Sequence, residues 1–282
     1  MEPVFLRDDL AQALCIEERS AVKADDALFA QIWALQGEVY RSVASRTTLR
    51  FEAAGRAYFL KRHRGVGWRE IFKNLIALRL PVLGARNEYQ TCRHLADRGI
   101  AAPRVAAFAE RGCSPAARDS FVICDALEDY ESLEDLTDRW DDEPPDPLVK
   151  RRLVVAVARF ARAMHAAGVV HRDFYICHLL VRREALQRGC VELAVIDLHR
   201  AQIRRRIPRR WLRRDLAALL FSVLDLPLSR TAWLRFVREY RGRPLREVWA
   251  RDGSFWNGVY KRARALYRKG QRRGLVKGRF QP

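Results

Sequence analysis

The stretch VVHRDFYICHLLV, residues 169–181, sets a polar triplet, His171-Arg172-Asp173, between two apolar segments. An aspartate carried on such a turn suits a group that orients a hydroxyl for attack on phosphorus. In H-R-D loops of that kind the fifth residue after the aspartate is an Asn that binds magnesium. Here that residue is His178. In a chain with 46 arginines the three letters carry little weight alone. The reading turns on whether the other groups that phosphoryl transfer needs follow in order.

Phosphoryl transfer asks for positioning and charge neutralisation more than for covalent chemistry. It needs a lysine on a strand, an acid on a helix to orient it, an acid for the acceptor hydroxyl and an acid on the metal. The strand AYFLKR offers Lys61, one of only seven lysines in the chain. Alternation puts Phe59 on the same face, where its ring can pack on a nucleotide base. Glu88 follows 27 residues later in a predicted helix, a separation suited to a Lys–Glu pair. Asp197 ends the apolar strand LAVID, 24 residues after Asp173, where a magnesium ligand is expected. Asp215 opens the apolar helix of RRDLAALLFS, a position the helix dipole favours and from which a carboxylate can anchor the loop backbone. Each has a plain alternative: a solvated strand lysine, a surface helix acid, a turn aspartate, a helix-start acid. Together and in order they predict an α+β, protein-kinase-like bilobal fold, with a small antiparallel-sheet N-lobe carrying one main helix and a larger, mainly helical C-lobe.

The texture along the chain agrees. Residues 1–35 are mixed and carry no motif. Strands begin at VYRSV, and Thr47–Glu52 with Ala57–Arg62 read as a hairpin about Ala53-Ala54-Gly55-Arg56. A helical run is expected near 69–79. ARNEYQTCRHLADRG reads as a helix with Cys92, Leu95 and Ala96 inward and Gly99 as its stop signal. SFVICDAL is a buried strand. Residues 128–147, acidic and then proline-rich, read as a connector between an N-terminal lobe, 1–127, and a catalytic lobe, 148–282, that ends in a basic tail. PLVKRRLVVAVARFARAMHAAG is a long amphipathic helix, and no internal repeat is visible.

Composition narrows the setting. Hydrophobic residues are 49% of the 282, enough for a packed core and against wholesale disorder. The formal net charge of +19 points to anionic partners. Six cysteines without a C-x-x-C pair read as reduced thiols rather than a disulfide framework. The acidic N-terminus argues against a secretory signal, and no apolar run approaches a membrane span.

Seven segments, LQGEVYR, TLRFE, FLKRHRGVGW, PVLGARNE, HRDFYICHLLV, VIDLHRAQ and RRWLRRDLAAL, together resemble the bacterial lipopolysaccharide core heptose(I) kinase family over roughly residues 34–270. The resemblance implies transfer of the ATP γ-phosphate to O4 of the first heptose of the inner core, with ATP and Mg2+ as cofactors. It makes Asp173, beside Arg172, the acceptor-orienting base, Lys61 the phosphate-binding lysine and Glu88 its partner. It makes Asp197 the metal ligand, with His178 in the place of the second, and has the backbones of Asp125 and Leu127 bond adenine next to Phe59. The glycolipid substrate implies a cytoplasmic protein, peripheral on the anionic inner face of the inner membrane. Acyl carrier protein, small and acidic, is a further implied partner; nucleic acid is not.

Three departures from protein kinases stand out. No G-x-G-x-x-G precedes Lys61; the corresponding turn, SVASRTT, offers Arg46 instead. His178 replaces an oxygen ligand, although magnesium prefers oxygen. Asp-Leu-His, 197–199, replaces D-F-G. Only 17 residues separate Asp197 from Asp215, too few for a phosphorylatable activation loop with a peptide dock, and the seven arginines from 204 to 214 suit carboxylates and phosphates. The alternatives are a Kdo kinase, a protein tyrosine kinase, or a non-catalytic, pseudokinase-like basic module for nucleic acid or membrane. The short segment opposes the tyrosine kinase and HRDFYICH the Kdo enzyme. A non-catalytic module leaves Lys61, Glu88, Asp173 and Asp197 unexplained.

Overall fold

The hairpin expected around Lys61 forms as β3 (Arg46–Ala53) and β4 (Arg56–His63), paired from Arg46↔His63 to Ala53↔Arg56. Its two-residue turn, Ala54-Gly55, has φ of 48° and 71°, the combination that follows the twist of the flanking strands. The structure is a computed structural model whose described residues are 4–16, 26–43, 45–65, 67–68, 84–114 and 116–280. The helix expected near 69–79 lies outside them.

The chain divides into two compact units. The first comprises Met1–Ala96, Pro103–Glu128 and Leu198–Arg200; the second comprises Asp97–Ala102, Asp129–Asp197 and Ala201–Pro282. In the first, β1 (Val4–Leu6), β2 (Glu38–Val43), β5 (Val105–Arg111) and β6 (Asp119–Asp125) complete an antiparallel sheet of order β1-β5-β6-β4-β3-β2. Alternation along β4 separates two faces. Tyr58 and Leu60 join a core with Leu49, Phe51, Phe121 and Ile123, which Phe29 and Ile32 of helix α2 (Asp26–Ala34) cover, behind the short α1 (Asp8–Ala13). Phe59 and Lys61 are left for the other face, where helix α3 (Arg86–Ala96) lies. The inward positions of α3 are Glu88, Thr91, Cys92 and Leu95, the i, i+3, i+4, i+7 stripe of a helix. Ala96, expected inward, is exposed, because it falls one residue past that stripe.

The second unit is mainly helical. The 128–147 segment is ordered structure here: β7 (Tyr130–Ser132), helix α4 (Leu133–Asp138) and a single 3-10 turn. Ser132 caps α4 by accepting from Asp135 N–H (3.0 Å). Helix α5 (Pro147–Ala166) starts with the Asp146 carboxylate accepting from Leu148 N–H and with Pro147 in its first turn. Then follow β8 (Val169–Val170), β9 (Leu179–Arg182), α6 (Arg183–Gln187), β10 (Leu193–Val195), β11 (Gln202–Ile203), α7 (Arg209–Ser222), α8 (Arg230–Arg241) and α9 (Leu245–Gln271). Small sheets β10-β9-β7 and β11-β8 frame the H-R-D stretch. An antiparallel-sheet unit and a helical unit are the two parts that the sequence predicts for a kinase-like fold.

The basic tail folds back on its own unit. Asp225 accepts from the backbone N–H of Lys277 (2.8 Å), Arg279 (2.9 Å) and Phe280 (3.1 Å), and the side chains of Lys277 and Arg279 pair with Asp141. Burial pushes the Asp225 carboxyl up, but the Tyr267 hydroxyl that donates to it and those backbone bonds outweigh burial and hold it below its ordinary range. No helix among the described residues is long and apolar enough to cross a membrane.

Candidate active site

Helix α7 organises the H-R-D loop of the second unit. Asp215, 1% exposed, accepts from the backbone N–H of His171 (2.7 Å) and of Arg172 (2.9 Å). Two turns further along, Ser222 Oγ accepts from Ile176 N–H (3.2 Å). One rigid helix thus holds both ends of the loop, whose satisfied N–H groups have no strand to pair with. Arg172 takes a φ of 74°, a conformation costly for a non-glycine residue and sustained by the Asp215 bond. Asp173 follows, half-buried.

The Ile196 peptide fixes the other side. Its N–H donates to His178 O (3.0 Å), and its carbonyl accepts from His171 Nε2 (2.9 Å). A carbonyl only accepts, so His171 carries its proton on Nε2, and Nδ1 is left to accept from Asp173 N–H (3.3 Å). Burial lowers the His171 pKa and keeps the ring neutral, as that tautomer requires. The strand expected through Asp197 stops at Val195, because the backbone of Ile196 is spent on this clamp rather than on a ladder. Asp197 follows at φ 59°.

His178 is tied to the same loop. Its Nδ1 donates to Asp173 O (2.7 Å), its ring stacks on His171 at 5.5 Å, and its Nε2 comes within 3.7 Å of Asp197 Oδ2. With Nδ1 on that carbonyl, Nε2 is the ring nitrogen turned to the side of the carboxylate. A single divalent ion fits this donor set through Asp197, since magnesium makes do with one carboxylate when phosphates and waters fill its other positions. No group of three or more His, Cys, Asp or Glu that could hold a metal occurs among the described residues.

In the first unit, Lys61 Nζ and Glu88 Oε1 form an ion pair between β4 and α3. Glu88 is 3% exposed, and its Oε2 has no hydrogen-bond partner among the described residues. Such a pair suits a lysine that must be held extended, and the carboxylate has acceptor capacity to spare. Cys92 and Cys124 lie beside it. Its hydrogen bond with Cys92 and burial push the Cys124 thiol well above the ordinary range, so that sulfur packs as an inert apolar group. Phe59 shares the face of Lys61, opposite Cys124 in register, with Tyr40 edge-on at 5.1 Å. Asp125 N–H donates to Arg104 O (2.9 Å) and its carboxylate pairs with Arg7 (2.7 Å).

Sequence reasoning missed the support behind Asp215. His165 of α5 bonds Tyr240 Oη through Nδ1 (2.8 Å) and approaches Asp215 through Nε2 (3.4 Å). Burial raises the Tyr240 hydroxyl pKa, so it stays a neutral partner. The one available signal was a histidine in the last turn of an amphipathic helix, in a chain with six histidines. Tyr240, 75 residues away, carried none.

Comparisons with known proteins find relatives of this chain. The model of the lipopolysaccharide kinase (Kdo/WaaP) family matches residues 30–240. A lipopolysaccharide core heptose(I) kinase WaaP of Pseudomonas aeruginosa is 47% identical over 247 residues, covering 87% of this chain and 92% of the relative. The protein of that name from Escherichia coli K12 is 43% identical over 248 residues, covering 88% and 94%. A solved structure of WaaP in complex with acyl carrier protein superposes with a TM-score of 0.77 at 39% identity, over 94% of this chain and 99% of that one.

Proposed function

Since the chain belongs to the lipopolysaccharide kinase (Kdo/WaaP) family, we propose that it phosphorylates the first heptose of the lipopolysaccharide core, taking the γ-phosphate of ATP to O4. It is a phosphotransferase. The observation that carries the assignment of roles is the loop pinned by Asp215: it presents Asp173 from a backbone that cannot swing away. Asp173 accepts a hydrogen bond from the heptose hydroxyl, orients its lone pair towards phosphorus and takes its proton as the bond forms. Lys61, held extended by Glu88, neutralises non-bridging phosphate oxygens. The carbonyl of Asp125 and the backbone of Leu127 read the adenine edge, and Phe59 packs on its face. Asp197 would hold a magnesium ion, which supplies charge neutralisation at the β- and γ-phosphates. His178 orders the loop by its bond to Asp173 O and turns Nε2 towards that carboxylate.

The glycolipid acceptor makes the protein peripheral on the anionic cytoplasmic face of the inner membrane, a setting a +19 chain tolerates. Acyl carrier protein is proposed as an acidic partner, after the complex formed by the WaaP relative. An apolar cleft of about 420 Å³ in the second unit, lined by Leu153, Val157, Leu216, Leu220 and Phe236, has the chemistry to receive an acyl chain.

The test is radiolabelled ATP offered with three acceptors side by side: heptose-containing core lipid, the same lipid without heptose, and a tyrosine polymer. Label on the first alone supports the proposal. Label on the heptose-free lipid or on the polymer in its place overturns it.

A further inference from the structure

Trp211 opens α7 one turn ahead of Asp215, and three guanidiniums gather on its ring. The Cζ atoms of Arg172, Arg204 and Arg214 lie 5.5, 5.6 and 5.1 Å from the indole centroid. Each comes from a separately anchored piece of backbone. Arg172 is held by its N–H on Asp215. Arg204 leaves β11 with its N–H on Gly168 O (2.8 Å), and its guanidinium bonds Gln202 Oε1 (2.9 Å). Gly168 is required there, since a Cβ on it would meet Arg204 O at 2.3 Å. Arg214 belongs to α7 itself.

Three like charges on one ring repel each other, and the face of an indole offsets that only in part. Among the described residues, the Arg204 guanidinium bonds only the Gln202 amide, Arg214 has no carboxylate partner, and the buried Trp211 Nε1 has no acceptor. In protein kinases, arginines near this loop pair with a phosphorylated activation-loop residue. Here residues 198–214 hold no Ser, Thr or Tyr, so this segment cannot supply that anion by phosphorylation. Arg204 and Arg214, exposed beside the loop and without a carboxylate of their own, are cations that an anion from outside can reach.

We propose that this cluster reads the acceptor: an oxyanion on a sugar adjoining the heptose, a carboxylate or a phosphate, seats against Arg172, Arg204 and Arg214. Through Arg172, the chain neighbour of Asp173, it aligns the reacting hydroxyl with its base. The inference rests on the reading of the chain as a heptose kinase and names the feature by which the acceptor is recognised. Guanidinium forks suit both oxyanions, so chemistry alone leaves the source to the experiment.

The experiment measures kcat and KM on three acceptors: native heptose-containing core lipid, the same lipid with carboxylates reduced to alcohols, and the same lipid with phosphates removed. Wild-type protein is compared with Arg204→Gln and Arg214→Gln, both exposed positions, with KM for ATP as the internal control. Each variant is expected to raise KM for the native acceptor about tenfold, with KM for ATP unchanged. One modified acceptor is expected to raise the wild-type KM similarly, and on that acceptor the variants cost nothing more; its identity tells carboxylate from phosphate. An equal rise on all three acceptors, as a general surface for anionic lipid would give, overturns the proposal. So does an unchanged KM on the native one. If the wild type transfers nothing to the native acceptor, the heptose-kinase reading itself fails, a result distinct from both.

Discussion

The two halves of the chemistry are held in opposite ways. In the second unit, the loop from His171 to His178 hangs on neutral and charge-assisted hydrogen bonds to its backbone, from Asp215, Ser222 and the Ile196 peptide. The side chain proposed to act, that of Asp173, makes none of those bonds. In the first unit, the lysine proposed to meet phosphate is itself part of the support, since Lys61 is positioned by its ion pair with Glu88. The contrast teaches where function and stability separate: they can be divided in the loop and not in the strand–helix pair.

The largest effect breaks function without touching the scaffold. Asp173→Ala is expected to lower turnover about a thousandfold while thermal unfolding stays within about 1 kcal/mol of wild type. Marked destabilisation would show that Asp173 is part of the scaffold after all. Asp215→Ala attacks the scaffold itself. It leaves two loop N–H groups and His165 without their shared acceptor, and is expected to cost about 3 kcal/mol together with most of the activity. Calorimetry alongside kinetics separates these two variants.

The strand–helix pair is expected to be lopsided. Lys61→Met strands a carboxylate that is 3% exposed and should cost about 3 kcal/mol as well as ATP use. Glu88→Gln leaves a lysine 15% exposed, able to reach water, and should cost about 1 kcal/mol. Equal losses in denaturant melts would remove this asymmetry. His178→Asn, which keeps a polar group near Asp173 O, should retain magnesium dependence with a severalfold lower turnover; loss of the dependence would make His178 a ligand.

The smallest effect is on pH. Burial lowers the His171 pKa from 6.5, so below that value the unfolded chain binds a proton that the folded loop refuses. Stability is therefore full above that value and declines as acid is added. Asp225 adds to the decline at lower pH: its folded pKa lies below 3.8, so its contribution is lost as pH falls through that depressed value. His171→Asn should flatten the slope between about pH 7 and 5. An unchanged slope would place the charge change elsewhere.

The chain itself displayed the parts that have a local signature. Lys61 sat on an alternating strand and Glu88 in a predicted helix, and both occupy those places; Asp215, read as opening an apolar helix, lies in its middle, because the helix already begins at Arg209 with the arginine-rich turn before it. Asp197 was read as a strand end, but the strand stops short because the Ile196 backbone serves the loop, a non-local demand no periodicity reveals. The 128–147 segment, read as a connector from its acids and prolines, holds elements of its own that composition did not show: Ser132 caps a helix and Tyr130–Ser132 pair with β9. The His165–Tyr240 support and the gathering on Trp211 join residues far apart in sequence, where only folding brings them together.

The central claim is that the loop on Asp215 presents Asp173 to a heptose hydroxyl. Its most direct test is the position of the new phosphate in core lipid treated with wild-type protein and with Asp173→Asn, read by mass spectrometry and phosphorus NMR. The account predicts one added phosphate on O4 of the first heptose with the wild type and none with the variant. Phosphate on another sugar, or an equal yield from Asp173→Asn, would contradict it.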